Sequence, residues 1–508
     1  MIWSGVPHML SDVVTTTGGK VQGVPSRLPG VTAFLGIPYA ASTAGANRWR
    51  PPQPVPPWPG VRSAAEFGPA CPQPPGVIGE APTSEDCLNL NVWTVDGEPD
   101  RPVLVWVHGG RFLFGASSEP SYDGAALAAQ GLVVVSLNYR LGAFGFLAHP
   151  ELSAEGPGSG NYGLLDVLAG LAWVQDNIAT FGGDPHRVTV AGQSCGGAIA
   201  AICALSPLAR GLVHQVVVES ALLYPRDPEI GPHASSHRWL PEAEADGVAW
   251  AAKRGASTLE ELRALPAEAL VAGMDDVDPR VAGHPGPPLF RSVVDGWVLP
   301  SSYWDALSSG TINDVAVLGG NNRDESGVLV DDVMTLRSYQ DFAVRAFGDQ
   351  AAELLTLFPA HDDAEATDAY NDVLRTGMKV SSYLWGQLWR QHSDRPVYTY
   401  WWTHVPPSDG LTPEYAYHGS EIDYFFDNLH VGRHPYTIAD QPIADLMSGY
   451  LVRFVATGDP NGPGCPVWPA TADAAAVMEL GGRWAVKEVA SPERLDFFAR
   501  HFAGSPPW

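Results

Sequence analysis

The stretch from Val188 to Leu205 constrains the fold of this chain more than any other. It opens Val188-Thr189-Val190-Ala191-Gly192-Gln193-Ser194-Cys195-Gly196-Gly197 and continues through a run rich in glycine and alanine. An apolar strand thus leads into a turn of the form G-x-S-x-G, and a helix follows. Such a sharp turn holds its central serine in a strained backbone conformation and lifts the hydroxyl above the edge of a sheet. Gly192 and Gly196 are needed because side chains there would collide across the turn. The helix begins at the serine and directs the positive end of its dipole at it. Ser194 is the candidate nucleophile.

The rest of the chain reads as the scaffold such a turn requires. Short apolar runs at Val103–Val107, Leu132–Leu137, Val188–Ala191, Val216–Val218, Val315–Leu318 and Val397–Trp402 are the signature of strands buried on both faces of a mostly parallel sheet. Helical patterns separate them. Residues 162–181 place Leu164, Leu165, Leu168, Leu171, Ala172 and Val174 near one face, and the small side chains of Cys195–Leu205 allow a helix to lie close on the sheet. Strand alternating with helix predicts an α/β fold. Residues 225–290 and 328–395 read as helical cover inserted between strands. Pro- and Gly-rich clusters at 51–60, 72–79 and 283–288 read as surface loops. There is no repeat and no long flexible linker, so residues 1–508 are expected to form one domain.

A serine hydroxyl needs a base, a carboxylate to orient that base, and amide donors for the developing oxyanion. Val103-Leu104-Val105-Trp106-Val107-His108-Gly109-Gly110-Arg111-Phe112 offers the donors: a strand ending in His-Gly-Gly, whose Gly110 and Arg111 amides would join that of Cys195. His108 is expected to pack the loop and not to act as the base. From spacing alone, His404, His418, His430 and His434 are rivals for that role.

Charge and cysteine usage exclude other classes. With 30 basic against 56 acidic residues and a net charge of -26, the long-range field repels polyanions, which argues against nucleic acid and anionic membrane as partners. Five cysteines make neither a disulfide scaffold nor a zinc-ligand spacing. Met1 to Val14 lacks the pattern of a signal peptide, and no apolar run is long enough to span a membrane. A cytoplasmic location is the expectation.

These motifs resemble the type-B carboxylesterases, the cholinesterase-like branch of the α/β hydrolases, over nearly the whole chain. The similarity rests on Ser84-Glu85-Asp86-Cys87-Leu88-Asn89-Leu90-Asn91-Val92, on Phe181-Gly182-Gly183-Asp184-Pro185 with the Ser194 turn, on Asn138-Tyr139-Arg140-Leu141-Gly142, and on Gly160-Asn161-Tyr162-Gly163-Leu164-Leu165-Asp166. It is especially good to bacterial para-nitrobenzyl esterases around 115–147. The resemblance implies an α/β-hydrolase fold and a serine ester hydrolase working through an acyl-enzyme on a small-molecule ester, with no metal or organic cofactor. It maps the acid to Glu325 in Asn322-Arg323-Asp324-Glu325, with Asp324 as the alternative. It maps the base to His418 in Tyr417-His418-Gly419-Ser420-Glu421-Ile422. The order Ser194, Glu325, His418 is that of the α/β hydrolases. The resemblance also implies buried ion pairs Arg48–Glu85 and Arg140–Asp166. Cys71 and Cys87 match the family's first disulfide loop, with its closure left open.

Amidase, thioesterase and carbamate hydrolase activities, or a non-catalytic binding protein on the same fold, are the alternatives. Phe112, Phe114, Phe290 and Trp385 are candidate pocket aromatics, each also suited to the core. The sequence departs from the family pattern in four places. Gln193 replaces the usual Glu before the nucleophile, Cys195 the usual Ala after it, Arg111 the third Gly of the oxyanion loop, and Ala221 the Gly after Ser220. The changes at Gln193 and Arg111 both make the site more positive. Arg111 can therefore meet an anionic group of a substrate or pair with a structural carboxylate.

Overall fold

The parallel strands expected from the apolar runs meet in one mixed sheet of eleven strands. The computed structural model describes residues 13–508 except 80, 97–98, 232, 282–285, 331 and 472–474. Most of the Met1–Val14 segment and part of the 283–288 cluster thus lie outside the described residues.

In chain order the strands of this sheet are β1 (Val24–Pro25), β2 (Val31–Pro38), β3 (Asn89–Val95), β4 (Arg101–Val107), β5 (Val133–Leu137), β6 (Gly183–Gln193), β7 (Gln215–Glu219), β8 (Ala316–Asn322), β9 (Val397–Trp402), β10 (Ala476–Leu480) and β11 (Ala485–Glu488). Their spatial order is β11-β10-β9-β8-β7-β6-β4-β5-β3-β2-β1. The strands from β5 through β10 are parallel. The two ends are antiparallel. This is an α/β-hydrolase architecture, with helices on both faces of the sheet.

The central strands are buried on both faces, as their apolar runs require: every residue from Val103 to Val107 is at most 1% exposed. The helix Tyr162–Asn177 covers one face, continued by a 3-10 turn at Ile178–Phe181. Its buried side includes Trp173 and not Ala172, which faces solvent. The helix Cys195–Leu205 lies between β6 and β7 with nearly every residue buried. The cover segments are mixed in character. Residues 328–395 hold the helices Leu336–Phe347, Ala351–Leu357 and Asp363–Arg390. Residues 225–290 hold the helices Leu240–Lys253, Leu259–Arg263 and Ala267–Val271 and also a strand, Arg238–Trp239, paired with Val293–Val294.

Two buried ion pairs fix loops beneath the sheet's carboxyl edge. Arg140 grips Asp166 through Nε and Nη2 at 2.8 and 2.7 Å, and the Arg140 backbone N–H donates to the same carboxylate at 3.0 Å. Arg48 holds Glu85 through two bonds of 2.6 Å. Cys71 and Cys87 are free, buried thiols. They lie within hydrogen-bonding reach of each other, and this contact, then burial, raises the pKa of Cys87 well above its ordinary value.

Removing one partner of a fully buried pair leaves a desolvated charge, which costs about 3–5 kcal/mol. Asp166→Ala should therefore lower stability by about that amount, read as a shift in the urea midpoint at unchanged slope. A shift no larger than that of an exposed surface substitution would show that Arg140 finds another partner.

Candidate active site

The carboxyl ends of the parallel strands deliver each of the motifs to one edge of the sheet, where ligands bind in open α/β sheets. Ser194 follows β6 with φ 58 and ψ -125 and caps the helix Cys195–Leu205. Its N–H donates to the Glu219 carbonyl at 2.8 Å, and its own carbonyl accepts from Ala198 at 2.9 Å. A side chain at Gly196 would collide with the carbonyl of Val107, which explains why that turn position is glycine.

The loop after β4 carries the candidate oxyanion donors. Gly110, Arg111 and Phe112 all take positive φ, at 101, 56 and 61. The Gly110 carbonyl accepts from Leu113 and Phe114 at 2.9 and 3.0 Å, while the amides of Gly110, Arg111 and Cys195 donate to no loop or turn carbonyl among the described residues. The Cys195 thiol is fully buried, and burial pushes its pKa up to about 12, so it stays a neutral thiol facing the Arg111 and Phe112 amides. His108 is buried, bonded through Nδ1 to the Gly109 carbonyl at 2.9 Å and stacked on Tyr139. Burial lowers its pKa to about 4.

Glu325 stands just past β8 and His418 on the long loop after β9. His418 Nδ1 and Glu325 Oε2 are 2.5 Å apart. The other Glu325 oxygen accepts the Asn322 N–H at 2.9 Å. Burial opposes the charge on Glu325, but His418, the side chain of Ser220 and the Asn322 amide together hold its pKa below the usual carboxylate range. Burial likewise opposes a charged His418. The Glu325 charge and hydrogen bond, aided by Glu421, outweigh it and raise the imidazole above its ordinary value.

Asp324, the alternative acid, is committed elsewhere. It pairs with Arg323 and Arg375 at 2.7 and 2.5 Å and accepts the Ala416 N–H at 2.9 Å. With the return bond from Asp324 N–H to the Ala416 carbonyl at 3.0 Å, it ties the histidine loop to the acid loop. Among the rival histidines, His404 bonds the Tyr424 hydroxyl and His434 the Tyr417 hydroxyl. His430 sits on the 3-10 turn Leu429–Val431.

Sequence reasoning did not foresee two features. The first is at the far nitrogen of His418. Among the described residues no hydrogen bond joins it to Ser194 Oγ; instead the Gln193 side-chain amide lies 3.2 Å from Nε2. The second is a pair of buried carboxyls behind the site. Glu219 is fully buried, and neither of its carboxylate oxygens has a hydrogen-bond partner among the described residues. Glu421 is bonded by Asn322 Nδ2. Burial and mutual repulsion raise Glu219 well above its ordinary pKa, and burial with the Glu325 charge raises Glu421 to about 7.

The candidate pocket aromatics separate. Phe112 packs on Phe146 and Phe290 on Trp250, both within the core. Phe114 is partly exposed on the oxyanion loop. Trp385 lines a small, mainly apolar cavity with Ala198, Ala221, Leu223, Tyr303 and Leu307.

Known proteins share this arrangement of chain. The carboxylesterase family model matches residues 10–498. The chain is 35% identical to the fumonisin B1 esterase of Sphingopyxis macrogoltabida, over 92% of this chain and 86% of that one. It is 33% identical to the para-nitrobenzyl esterase of Bacillus subtilis (strain 168), over 91% and 93%. A solved PNB esterase structure superposes with a TM-score of 0.81 at 29% identity, covering 96% of this chain and 99% of that one.

The charge balance around His418 can be titrated directly. An unperturbed imidazole has a pKa of about 6.5, and His418 should titrate above it. Gln193→Glu places a carboxylate beside Nε2, which favours the imidazolium and should raise the pKa further, by roughly one unit or more. Histidine ¹⁵N NMR, assigned by loss of the signal in a His418 variant, reads both values. A Gln193→Glu titration at or below the wild-type value would contradict the contact.

Proposed function

The chain belongs to the carboxylesterase family, and from that premise we propose that it hydrolyses carboxylic esters through a covalent acyl-enzyme on Ser194. His418 is the base, Glu325 orients it, and the amides of Gly110, Arg111 and Cys195 receive the oxyanion. The observation that carries the reading is the 2.5 Å contact between His418 Nδ1 and Glu325. It fixes the tautomer: Nδ1–H donates to the carboxylate, so the lone pair is on Nε2, at the Ser194 turn.

At rest that lone pair accepts from the Gln193 amide. For catalysis Ser194 Oγ–H takes over the acceptor, passes its proton to Nε2 and attacks the ester carbonyl. Negative charge develops on the carbonyl oxygen and meets the three amides. The imidazolium, stabilised by Glu325, returns the proton to the departing alcohol. Water then enters, loses a proton to Nε2 and attacks the acyl carbon. The free acid leaves and Ser194 regains its proton.

A fluorophosphonate should label the protein once, at Ser194, as read by intact mass and peptide mapping. Ser194→Ala and His418→Ala should each lower kcat by about 10⁴-fold or more, because members of such a set act as a unit. Labelling that persists in Ser194→Ala would sink the assignment.

A further inference from the structure

Arg111 follows Gly110 in the oxyanion loop, and its guanidinium is poorly neutralised. Nη2 donates to the Gly286 carbonyl at 2.6 Å. No carboxylate pairs with it among the described residues, so the structural-carboxylate alternative is not realised there. Other arginines of the interior are matched: Arg48 with Glu85, Arg140 with Asp166, Arg238 with Asp246 and Arg291 with Asp278. What distinguishes Arg111 from other arginines bonded only to carbonyls, such as Arg226 and Arg453, is its place on the loop after β4 beside the Ser194 turn.

The acids nearby do not cancel this charge. Asp324 is held by two arginines, and Glu325 by His418. Glu219 and Glu421 are driven toward their neutral forms. Gln193 brings no charge. The field of Arg111 reaches the Cys195 thiol and His233, and His233 in turn feels Glu325 and His418. The guanidinium therefore shares one neighbourhood with the reacting groups. A guanidinium has five N–H donors in a planar fork, and one bond to Gly286 leaves donors for a bidentate grip on a carboxylate.

We propose that Arg111 makes this a site for esters whose acyl chain carries a second, ionised carboxylate, such as half-esters of dicarboxylic acids; this rests on the ester-hydrolase reading above. The amide of Arg111 faces the carbonyl oxygen in that reading, so its side chain is tethered within reach of the substituents on the carbonyl carbon, and substrates carrying the carboxylate on the acyl or on the alcohol side separate the two.

The test compares kcat/KM for mono-4-nitrophenyl adipate with that for the 4-nitrophenyl ester of adipamic acid, an amide of the same length. Both are measured in wild type, Arg111→Gln and Arg111→Lys. Because the loop itself is altered, the ratio of anionic to neutral substrate is the readout, and fluorophosphonate labelling of Ser194 confirms that each variant is folded. The ratio should fall by about 10- to 100-fold in Arg111→Gln. It should fall less in Arg111→Lys, which keeps the charge and loses the fork. In wild type the ratio should also decline as salt is added. An unchanged ratio in Arg111→Gln overturns the proposal while leaving ester hydrolysis intact, as does a preference seen only when the carboxylate is on the alcohol. A wild type that hydrolyses neither ester and leaves Ser194 unlabelled overturns the ester-hydrolase reading, and this proposal with it.

Discussion

A non-glycine residue at φ 58 costs on the order of 1–3 kcal/mol, and such a residue persists only where its surroundings over-determine it. At Ser194 they do. The neighbouring strand accepts its N–H, the following helix donates to its carbonyl, and glycine at 196 lets the end of β4, at Val107 and His108, pass close by. β6 and the helix Cys195–Leu205 are both deeply buried, so neither can shift to relax the turn. The stability of the parallel sheet is thus what holds one hydroxyl in place, and every other functional group is positioned relative to it.

The proposed partners of Ser194, Glu325 and His418, come from loops, which need other restraints. Asn322 and Asp324 provide them. Asn322 bonds the Glu325 carboxylate through its backbone, and the Tyr417 carbonyl and Glu421 through its side chain. Asp324 exchanges bonds with Ala416 and is itself clamped by two arginines. The histidine loop is thereby laced to the acid loop on both sides of His418. Asp324 stands next to Glu325 in sequence, and the same bonds that exclude it from contact with the histidine place that histidine against its neighbour.

What could be read in the sequence follows from which signals are local. Strands buried on both faces leave continuous apolar runs, so the central strands and the α/β class were legible. The outer strands were not. Asn89–Val95 is interrupted by asparagines whose side chains bond neighbouring loops and strands, and Val31–Pro38 contains a glycine and a register shift between Phe34 and Ile37. The turn at Ser194 and the glycines after β4 are contiguous signals, whereas Glu325 and His418 were singled out by resemblance to a family, since spacing alone left His404, His430 and His434 as rivals. The contact of Gln193 with His418 joins residues 225 positions apart, and the burial of Phe112 and Phe290 depends on partners that no local pattern names. Both required the folded chain.

The two carboxyls buried behind the site set stability and turnover against each other along the pH axis. A carboxyl whose pKa is higher folded than unfolded keeps a proton that the unfolded chain releases, so over that interval each rise in pH favours unfolding. For Glu421 the interval runs from about 4.5 to about 7, and Glu219, raised by the same burial, acts in the same direction. His418 needs the opposite, since it accepts a proton only after losing its own, above the ordinary imidazole range. For these two carboxyls a lower pH favours the fold while it protonates the proposed base, and a higher pH frees that base while loading charge into the interior beneath it.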